Sequence, residues 1–255
     1  MNRRRAFLLL SAPVILGLAV ALAGIALLPL LFLGAALVLG WALVAWTTWA
    51  RASSSLLAGI GGTNPPAAAA SGALEPLQAE RFADLCEGLC AALGLPMPEL
   101  RVLTDPSVNA IAIGRRHDEA AIVVTAGLLG VLDRIELEAV IAHELAHIKR
   151  LDIATTALAS SGVARVLLRL GGRRCRLWFE EADREIRADL AAVATTRYPP
   201  GMIAALERIC QIADSRPVSV PTGLLERTSR SWLVPLESPG GDPAMAVRFD
   251  VLREL

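Results

Sequence analysis

The stretch DRIELEAVIAHELAHIKR, residues 133–150, decides the fold of this chain. Asp133 followed three residues later by Glu136 is typical of the capping box that begins an α-helix. Apolar residues then recur at helical spacing, at Leu137, Val140, Ile141 and Ile148. The stretch therefore predicts a helix that begins at Asp133 and buries one face against a core.

The same helix carries the pattern H-E-x-x-H, with His143 and His147 four residues apart and Glu144 between them. Positions i and i+4 lie on one face of a helix, so both imidazoles point the same way. Two imidazoles so placed can bind one Zn²⁺, and Glu144 then stands beside a water that the metal activates. The alternative is a pair of polar surface histidines, which the helical context disfavours.

A catalytic zinc site needs a third protein ligand, and the sequence offers several candidates. They are the remaining histidine, His117, and four acids of a helix predicted at 176–195: Glu180, Glu181, Glu185 and Asp189. Three of these acids recur at four-residue intervals, so one could bind the metal while its neighbour accepts the free N–H of a ligand histidine. Alternatively, the acids form a solvated face that pairs with Arg184 and Arg187. The residues alone leave this choice open.

The N-terminal region is apolar: residues 6–50 carry no charged side chain, Arg3–Arg5 precede them and Arg51 follows. One straight helix of this length would measure roughly 67 Å, about twice the hydrocarbon thickness of a bilayer. We therefore predict two transmembrane helices, at about 6–27 and 30–50, joined at Pro29. Arginines at both outer ends predict a multi-pass protein of the cell membrane with its catalytic domain on the cytoplasmic side. A secretory signal peptide is the alternative, but the apolar run is too long for one.

The rest of the chain reads as a linker followed by an α+β domain. Residues 52–74 are rich in Ser, Gly, Ala and Pro, which predicts a flexible linker, and the domain follows at 75–255. Short extended runs at 99–103, 109–113 and 120–125 lie between helical segments, which predicts a mainly helical domain with a small β-sheet. Residues 153–170 favour an amphipathic helix on the domain or membrane surface over a third span.

Composition narrows the partners and the redox chemistry. The net charge is zero, so nothing indicates nucleic acid as a partner. The four cysteines could form disulfides, but a cytosolic domain keeps them reduced. Cys86 and Cys90 lie four residues apart in a helical pattern, which favours buried core residues over a second metal site.

Several of these stretches together resemble the HtpX-like family of membrane-bound zinc metalloproteases, which is related to the CAAX prenyl endoproteases. Asn109–Gly114 resembles the family's Asn-Ala-Phe-Ala strand, and Val124–Leu129 resembles its Thr-x-Gly-Leu turn. Residues 136–149 resemble its catalytic helix, and Glu185–Asp189 resembles its Glu-x-x-Ala-Asp motif. The matches run in the family's order from about 76 to 210, and they imply a zincin-like metalloprotease domain.

The resemblance implies roles for particular residues. Glu185 becomes the third zinc ligand beside His143 and His147, with one Zn²⁺ per chain, and Asp189 stands behind a ligand histidine. Glu144 becomes the general base that takes the proton of the activated water. The substrate would add as an extra strand along the family's edge strand, here Asn109, Ala110, Ile111 and Ala112, although plain core is an equal alternative for that strand.

The implied function is a membrane-anchored zinc endopeptidase that acts on protein or peptide substrates, with membrane proteins among the candidates, in quality control or processing. One departure bears on activity: family members often carry His-Pro before the last helix, and this chain has Asp242-Pro243. Tyr198 could substitute for that histidine, although its place at a helix end favours a packing role. The alternative is therefore a catalytically weak or inactive relative that acts as a protein-binding scaffold or chaperone.

Overall fold

The structure is a computed structural model, and it describes residues 28–160, 183–213, 231–234 and 243–255 together with residues 14, 215, 218 and 228. Its elements, in chain order, are α1 (Leu28–Ile60), α2 (Pro65–Ala70), α3 (Pro76–Leu93), β1 (Glu99–Leu103), β2 (Ala110–Ile113), β3 (Ala121–Thr125), α4 (Ala126–Val131), α5 (Arg134–Arg150), α6 (Asp152–Ser160), α7 (Asp183–Thr196), α8 (Pro199–Ala213) and α9 (Pro243–Arg253). The predicted fold class, α+β with many helices and a small sheet, is confirmed.

The three strands form one mixed sheet in the order β1-β3-β2. β1 runs parallel to β3, and β2 runs antiparallel to it, which leaves one side of β2 as an edge. Because side chains alternate along a strand, the sheet has two different faces. Ile111 and Ile113 pack with Leu56 and Ile60 of α1, while Ala110 and its same-face neighbours join the core that contains α3 and α5.

Helix α5 is the centre of the domain. Its predicted capping box is complete: Asp133 Oδ1 accepts the Glu136 N–H at 2.9 Å, and Glu136 Oε2 accepts the Asp133 N–H at 2.9 Å. The helix packs against β2, α3, α7 and α8, and nearly every residue from 136 to 148 is buried. The sequence predicted burial of one face only, whereas this helix is buried on nearly all sides. The reason is that other elements pack around it and leave little of its surface in contact with solvent.

Helix α1 contradicts the predicted linker. The predicted span at 30–50 lies within α1, with Pro29 in the first turn, where its missing N–H costs nothing. The helix continues to Ile60, and Ala52 and Leu56 are buried against the domain. Thr63 then pairs with Val102 of β1, and α2 follows. Residues 52–74 are therefore mostly helical and packed, because their small side chains allow close approach to the sheet.

One described helical segment, Phe32–Ile60, is long and apolar enough to cross a membrane. Large apolar side chains protrude from its first half, including Phe32 at 71% exposure and Trp46 at 68%. The predicted first span, at about 6–27, lies outside the described residues apart from residue 14.

The remaining elements agree with the sequence in part. Ile153, Ala154 and Ala157 of α6 are buried within the domain, so the start of the segment 153–170 is not a surface helix; residues 161–170 lie outside the described residues. Helix α8 begins at Pro199 rather than Met202, because proline is well suited to a first helical position. Cys86 and Cys90 are buried free thiols of α3, as predicted.

Candidate metal centre

Three side chains from two helices converge at the C-terminal half of α5. The Nε2 atoms of His143 and His147 lie 3.1 Å apart, and Glu185 Oε2 of α7 lies 3.3 Å from the first and 3.5 Å from the second. Ligands about 2.0–2.1 Å from a tetrahedral Zn²⁺ stand about 3.3 Å from one another. The spacing of these three atoms therefore fits a zinc ion, and their grouping agrees with the prediction from sequence.

The other candidate ligands do not join this group. His117 is exposed, and its ring nitrogen lies 3.3 Å from the Lys149 carbonyl oxygen. Glu180 and Glu181 lie outside the described residues. Glu185 is half-buried, and its second oxygen, Oε1, lies 3.4 Å from Arg184 Nε. Arg184 thus contacts Oε1, whereas Oε2 is the oxygen near the imidazoles and is available to bind a metal.

A buried network holds His143. Asp189, one turn beyond Glu185 on α7, accepts a hydrogen bond from His143 Nδ1 at 2.8 Å. Arg248 of α9 clamps the same carboxylate with two bonds, of 2.6 and 2.7 Å, and donates a third to the Leu233 carbonyl at 2.7 Å. Asp189, which is predicted to stand behind a ligand histidine, thus contacts His143 directly. The clamp by Arg248 was not predicted, because 59 residues separate the two charges.

A looser contact holds His147. Asp152 Oδ2 lies 3.3 Å from His147 Nδ1, and this partner was missed from the sequence. Leu151 ends α5 in the left-handed conformation, with φ of 59°, and the chain reverses there. A leucine rarely adopts this conformation. The reversal returns Asp152, five residues after His147, to the imidazole of His147.

Glu144 is the third functional residue of the H-E-x-x-H pattern. Its side chain is 1% exposed, and neither carboxylate oxygen has a hydrogen-bond partner among the described residues. Burial raises the pKa of Glu144 above its ordinary value. A buried carboxylate without a partner is costly, so this group fits a role in which water or substrate supplies its partner.

Without a metal, protons are shared among the ligands. Burial disfavours charge on both imidazoles, but the carboxylates of Asp189, Glu185 and Asp152 outweigh it. The pKa of His143 therefore lies above its ordinary value, and that of His147 is raised to about 9. Burial would raise the pKa of Glu185, but the imidazoles beside it hold that pKa well below its usual range. A metal would have to displace protons from these imidazoles.

The predicted substrate strand divides into two parts. Asn109 is buried, and its side-chain amide donates to the Val234 carbonyl at 2.8 Å and accepts the Val234 N–H at 3.2 Å. The Ala110 carbonyl accepts the Leu233 N–H at 2.9 Å. Ile111 faces α1 in the core. Ala112 lines a small pocket beside the metal ligands, together with His147, Asp152, Arg184, Glu185 and Ser231.

Tyr198 lies apart from this centre. It is 50% exposed and lines a surface pocket with Ile135 and Glu138. It therefore does not replace the histidine that stands before the last helix in many relatives. Gly241 and Asp242 lie outside the described residues, and Pro243 begins α9.

Comparison with known proteins gives a family match. The model of peptidase family M48 matches residues 76–208. The protease HtpX homolog of Dictyoglomus turgidum is 32% identical over an alignment of 176 residues that covers 55% of this chain and 58% of that protein. The protease HtpX homolog of Streptococcus uberis is 31% identical over an alignment of 186 residues that covers 56% of this chain and 61% of that protein. The chain thus spans somewhat more than half the length of these relatives. No solved structure matches it.

Proposed function

The chain belongs to peptidase family M48, and on that premise we propose that it is a membrane-anchored zinc endopeptidase. The observation that carries the proposal is the spacing of 3.1–3.5 Å among the ligand atoms of His143, His147 and Glu185. The unpartnered Glu144 beside them supplies the base that peptide hydrolysis needs. The substrates would be proteins or peptides, and the process membrane protein quality control or processing.

Each side chain has a definite task in this reaction. His143, His147 and Glu185 would hold one Zn²⁺, which when bound supplies Lewis-acid polarisation of the scissile carbonyl and of the attacking water. Asp189 and Asp152 accept the Nδ1 protons of the two histidines and so direct both Nε2 lone pairs toward the metal. Glu144 accepts the proton of the attacking water and then donates it to the leaving amine. Burial raises the pKa of Glu144 above its ordinary value, which favours the protonated form that donates to the leaving amine.

A substrate backbone can pair only with part of strand β2. Leu233 and Val234 already occupy the edge at Ala110 and Asn109. Backbone groups on one side of a strand belong to alternate residues, so Ala112 shares the free side with Ala110. We therefore assign strand addition to Ala112, next to the ligands, and a supporting role to Asn109, Ala110 and Ile111.

We further propose that residues 1–51 form two transmembrane helices and that residues 75–255 form the peptidase domain on the cytoplasmic side. The apolar, outward-facing side chains of residues 32–46 support the second span. Arginines at both outer ends and none in the turn support the orientation. Because α1 runs on into the domain, the metal centre would be held at a fixed distance from the bilayer.

The experiment compares the full chain with two isosteric variants in detergent. Glu144→Gln removes the base, and Glu138→Gln changes a glutamate of the same helix outside the metal centre. We expect one zinc per chain by elemental mass spectrometry in all three proteins. Casein cleavage should persist in Glu138→Gln and fall at least 10²-fold in Glu144→Gln. A chain without zinc, or equal cleavage by both variants, would refute the proposal.

Two observations favour a second function. The Leu233 N–H already pairs with the β2 edge, and the position before the last helix carries Asp242 instead of histidine. A zinc-binding relative with little turnover, acting as a scaffold or chaperone, would fit both features. Zinc bound at full occupancy, with no casein cleavage above that of Glu144→Gln, would select this alternative.

A further inference from the structure

An arginine lines the pocket beside the metal ligands, and the reaction proposed above gives it no direct part. Arg184 is the second residue of α7 and comes directly before the ligand Glu185. Among the described residues that line this pocket, it is the only arginine or lysine. Its side chain is largely enclosed, but at 12% exposure it keeps some surface open to the pocket. Because arginine keeps its proton at every working pH, the pocket has a fixed positive charge.

The neighbours of Arg184 do not use all of its hydrogen-bond donors. Its Nε lies 3.4 Å from Glu185 Oε1, and its Nη1 lies 3.4 Å from Thr155 Oγ1. Both contacts are longer than the 2.7–2.9 Å that is usual when a charged nitrogen donates to a carboxylate. Its Nη2 has no hydrogen-bond partner among the described residues. A guanidinium carries five N–H donors, so Arg184 can bind a further acceptor.

The arginine on the other side of the centre shows what a purely structural role looks like. Arg248 is 2% exposed, and it makes three bonds of 2.6–2.7 Å to Asp189 and to the Leu233 carbonyl. A cation withdrawn from water needs such compensation. Arg184 is also largely enclosed, but it has only the two long contacts. It therefore fits a role in which water or substrate supplies the missing acceptor.

The size of the pocket indicates which substrate group could reach Arg184. Its volume is about 10 Å³, which has room for about one water molecule. It can take a single oxygen atom but not a large side chain. Ala112, to which we assign the pairing with the substrate backbone, also lines this pocket. The carboxylates of Asp152 and Glu185 contact the imidazole of His147, so Arg184 is the group that would attract a negative oxygen.

We propose that Arg184 is a catalytic residue that donates a hydrogen bond to the oxygen of the scissile carbonyl. When the water oxygen attacks the carbonyl carbon, Glu144 takes the water proton and the π electron pair moves onto the carbonyl oxygen. Arg184 donates to this negative oxygen. When the C–N bond breaks, the electron pair re-forms the carbonyl and Glu144 gives its proton to the leaving amine. The donor meets a full negative charge only after the attack, so it raises kcat more than it tightens substrate binding.

This inference rests on the proposed peptidase function, and its test compares the parent with Arg184→Ala and Arg134→Ala. All three are full chains in detergent, and Arg134 is an exposed arginine in the first turn of α5. With labelled casein, kcat should fall about 10²–10³-fold in Arg184→Ala, as for other lost donors to such an oxygen, while KM stays close to that of the parent. Arg134→Ala should keep the kcat of the parent.

Zinc affinity separates this role from a positioning role. If Arg184 only holds Glu185 in place, Arg184→Ala should lose zinc affinity about 10–100-fold in competition with a chromophoric chelator. We expect the affinity of the parent instead. Millimolar methylguanidinium should restore part of the kcat of Arg184→Ala, because it can supply the missing donor. It should not raise the kcat of Arg134→Ala or Glu144→Gln.

The possible failures of this inference differ from a failure of the peptidase function. An active parent with equal kcat in Arg184→Ala would overturn the role of Arg184 and leave the peptidase function intact. A loss of kcat together with an equal loss of zinc affinity would overturn it as well, as would a loss that methylguanidinium does not repair. A parent that cleaves no more casein than Glu144→Gln would overturn both proposals.

Discussion

The two imidazoles of the metal centre are one helical turn apart, but their surroundings differ. His143 contacts Asp189 at 2.8 Å, and a bidentate arginine, Arg248, fixes that carboxylate where all three side chains are 0–2% exposed. His147 contacts Asp152 at 3.3 Å, and the arginine beside that carboxylate, Arg150, is 36% exposed.

This difference follows from access to water. A charge excluded from solvent needs complete compensation, so the buried side has a full set of partners. The other side faces a pocket of about 10 Å³ that Ala112 and Ser231 line, which has room for about one water molecule. We infer that the His143 side fixes the geometry of the centre and the His147 side adapts when ligands bind.

Arg248→Met would break the buried side and should have the largest effect. The substitution leaves Asp189 buried without its cation, and removing one partner of such a pair costs about 3–5 kcal/mol. Urea unfolding of the metal-free chain should report a loss of this size in the free energy of unfolding. The matched variant on the His147 side, Arg150→Met, should lose less than about 1 kcal/mol, because the Arg150 side chain is 36% exposed and Arg184 also stabilises the Asp152 carboxylate. Equal losses in the two variants would mean that the two sides do not differ.

Asp189→Asn and Asp152→Asn compare the two carboxylates directly. Each variant removes the charge that orients one imidazole, and loss of such a partner lowers metal affinity by about 10–100-fold. We expect a loss of zinc affinity near 100-fold for Asp189→Asn. For Asp152→Asn we expect a loss of less than about tenfold, because the contact of Asp152 with its histidine is longer. Competition with a chromophoric zinc chelator measures both. Asp183→Asn, at an exposed position of α7, serves as the control. A larger loss of zinc affinity in Asp152→Asn than in Asp189→Asn would mean that Asp152 is the more important of the two carboxylates.

Local signals in the sequence are enough to predict the helix that carries the centre. The capping box at Asp133 and Glu136 forms as predicted, because it depends only on residues three positions apart. The three predicted strands form within one residue of their expected bounds, since β-branched and apolar residues alternate with clear turns. The resemblance to a known family then selects Glu185 from several acids that spacing alone could not separate.

Other features depend on contacts between distant parts of the chain. Nothing near Arg248 indicates that it meets Asp189, because α9 must first pack against α7 and α8. The contact of Asp152 with His147 depends on a left-handed leucine, which no residue preference predicts. The predicted linker failed for a similar reason: Ala and Ser are as typical of a closely packed helix as of a tether.

The raised pKa values of the histidines predict that zinc affinity rises with pH. Zinc binds the neutral imidazole, and the pKa of His147 is about 9, so a proton competes with the metal at neutral pH. Apparent affinity should rise about tenfold per pH unit for each proton displaced and level off above about pH 9. Asp152→Asn removes one of the carboxylates that raise the pKa of His147. The zinc affinity of this variant should therefore level off at a lower pH than that of the parent. A zinc affinity that does not change with pH between about 6 and 8 would contradict the proposal that protons on the histidines compete with the metal.

The smallest effect is expected at Leu151, which acts on the His147 side alone. A β-branched residue tolerates the left-handed conformation less well than leucine, so Leu151→Val should cost about 1 kcal/mol and displace Asp152. Leu151→Gly adopts this conformation freely, and its gain is offset by the greater freedom of the unfolded chain. Cobalt substitution gives the sharper measurement, because the visible spectrum of Co²⁺ reports ligand geometry at the centre. The spectrum of Leu151→Val should change and that of Leu151→Gly should not. A change of equal size in both variants would mean that the side chain of Leu151, rather than its backbone conformation, positions Asp152.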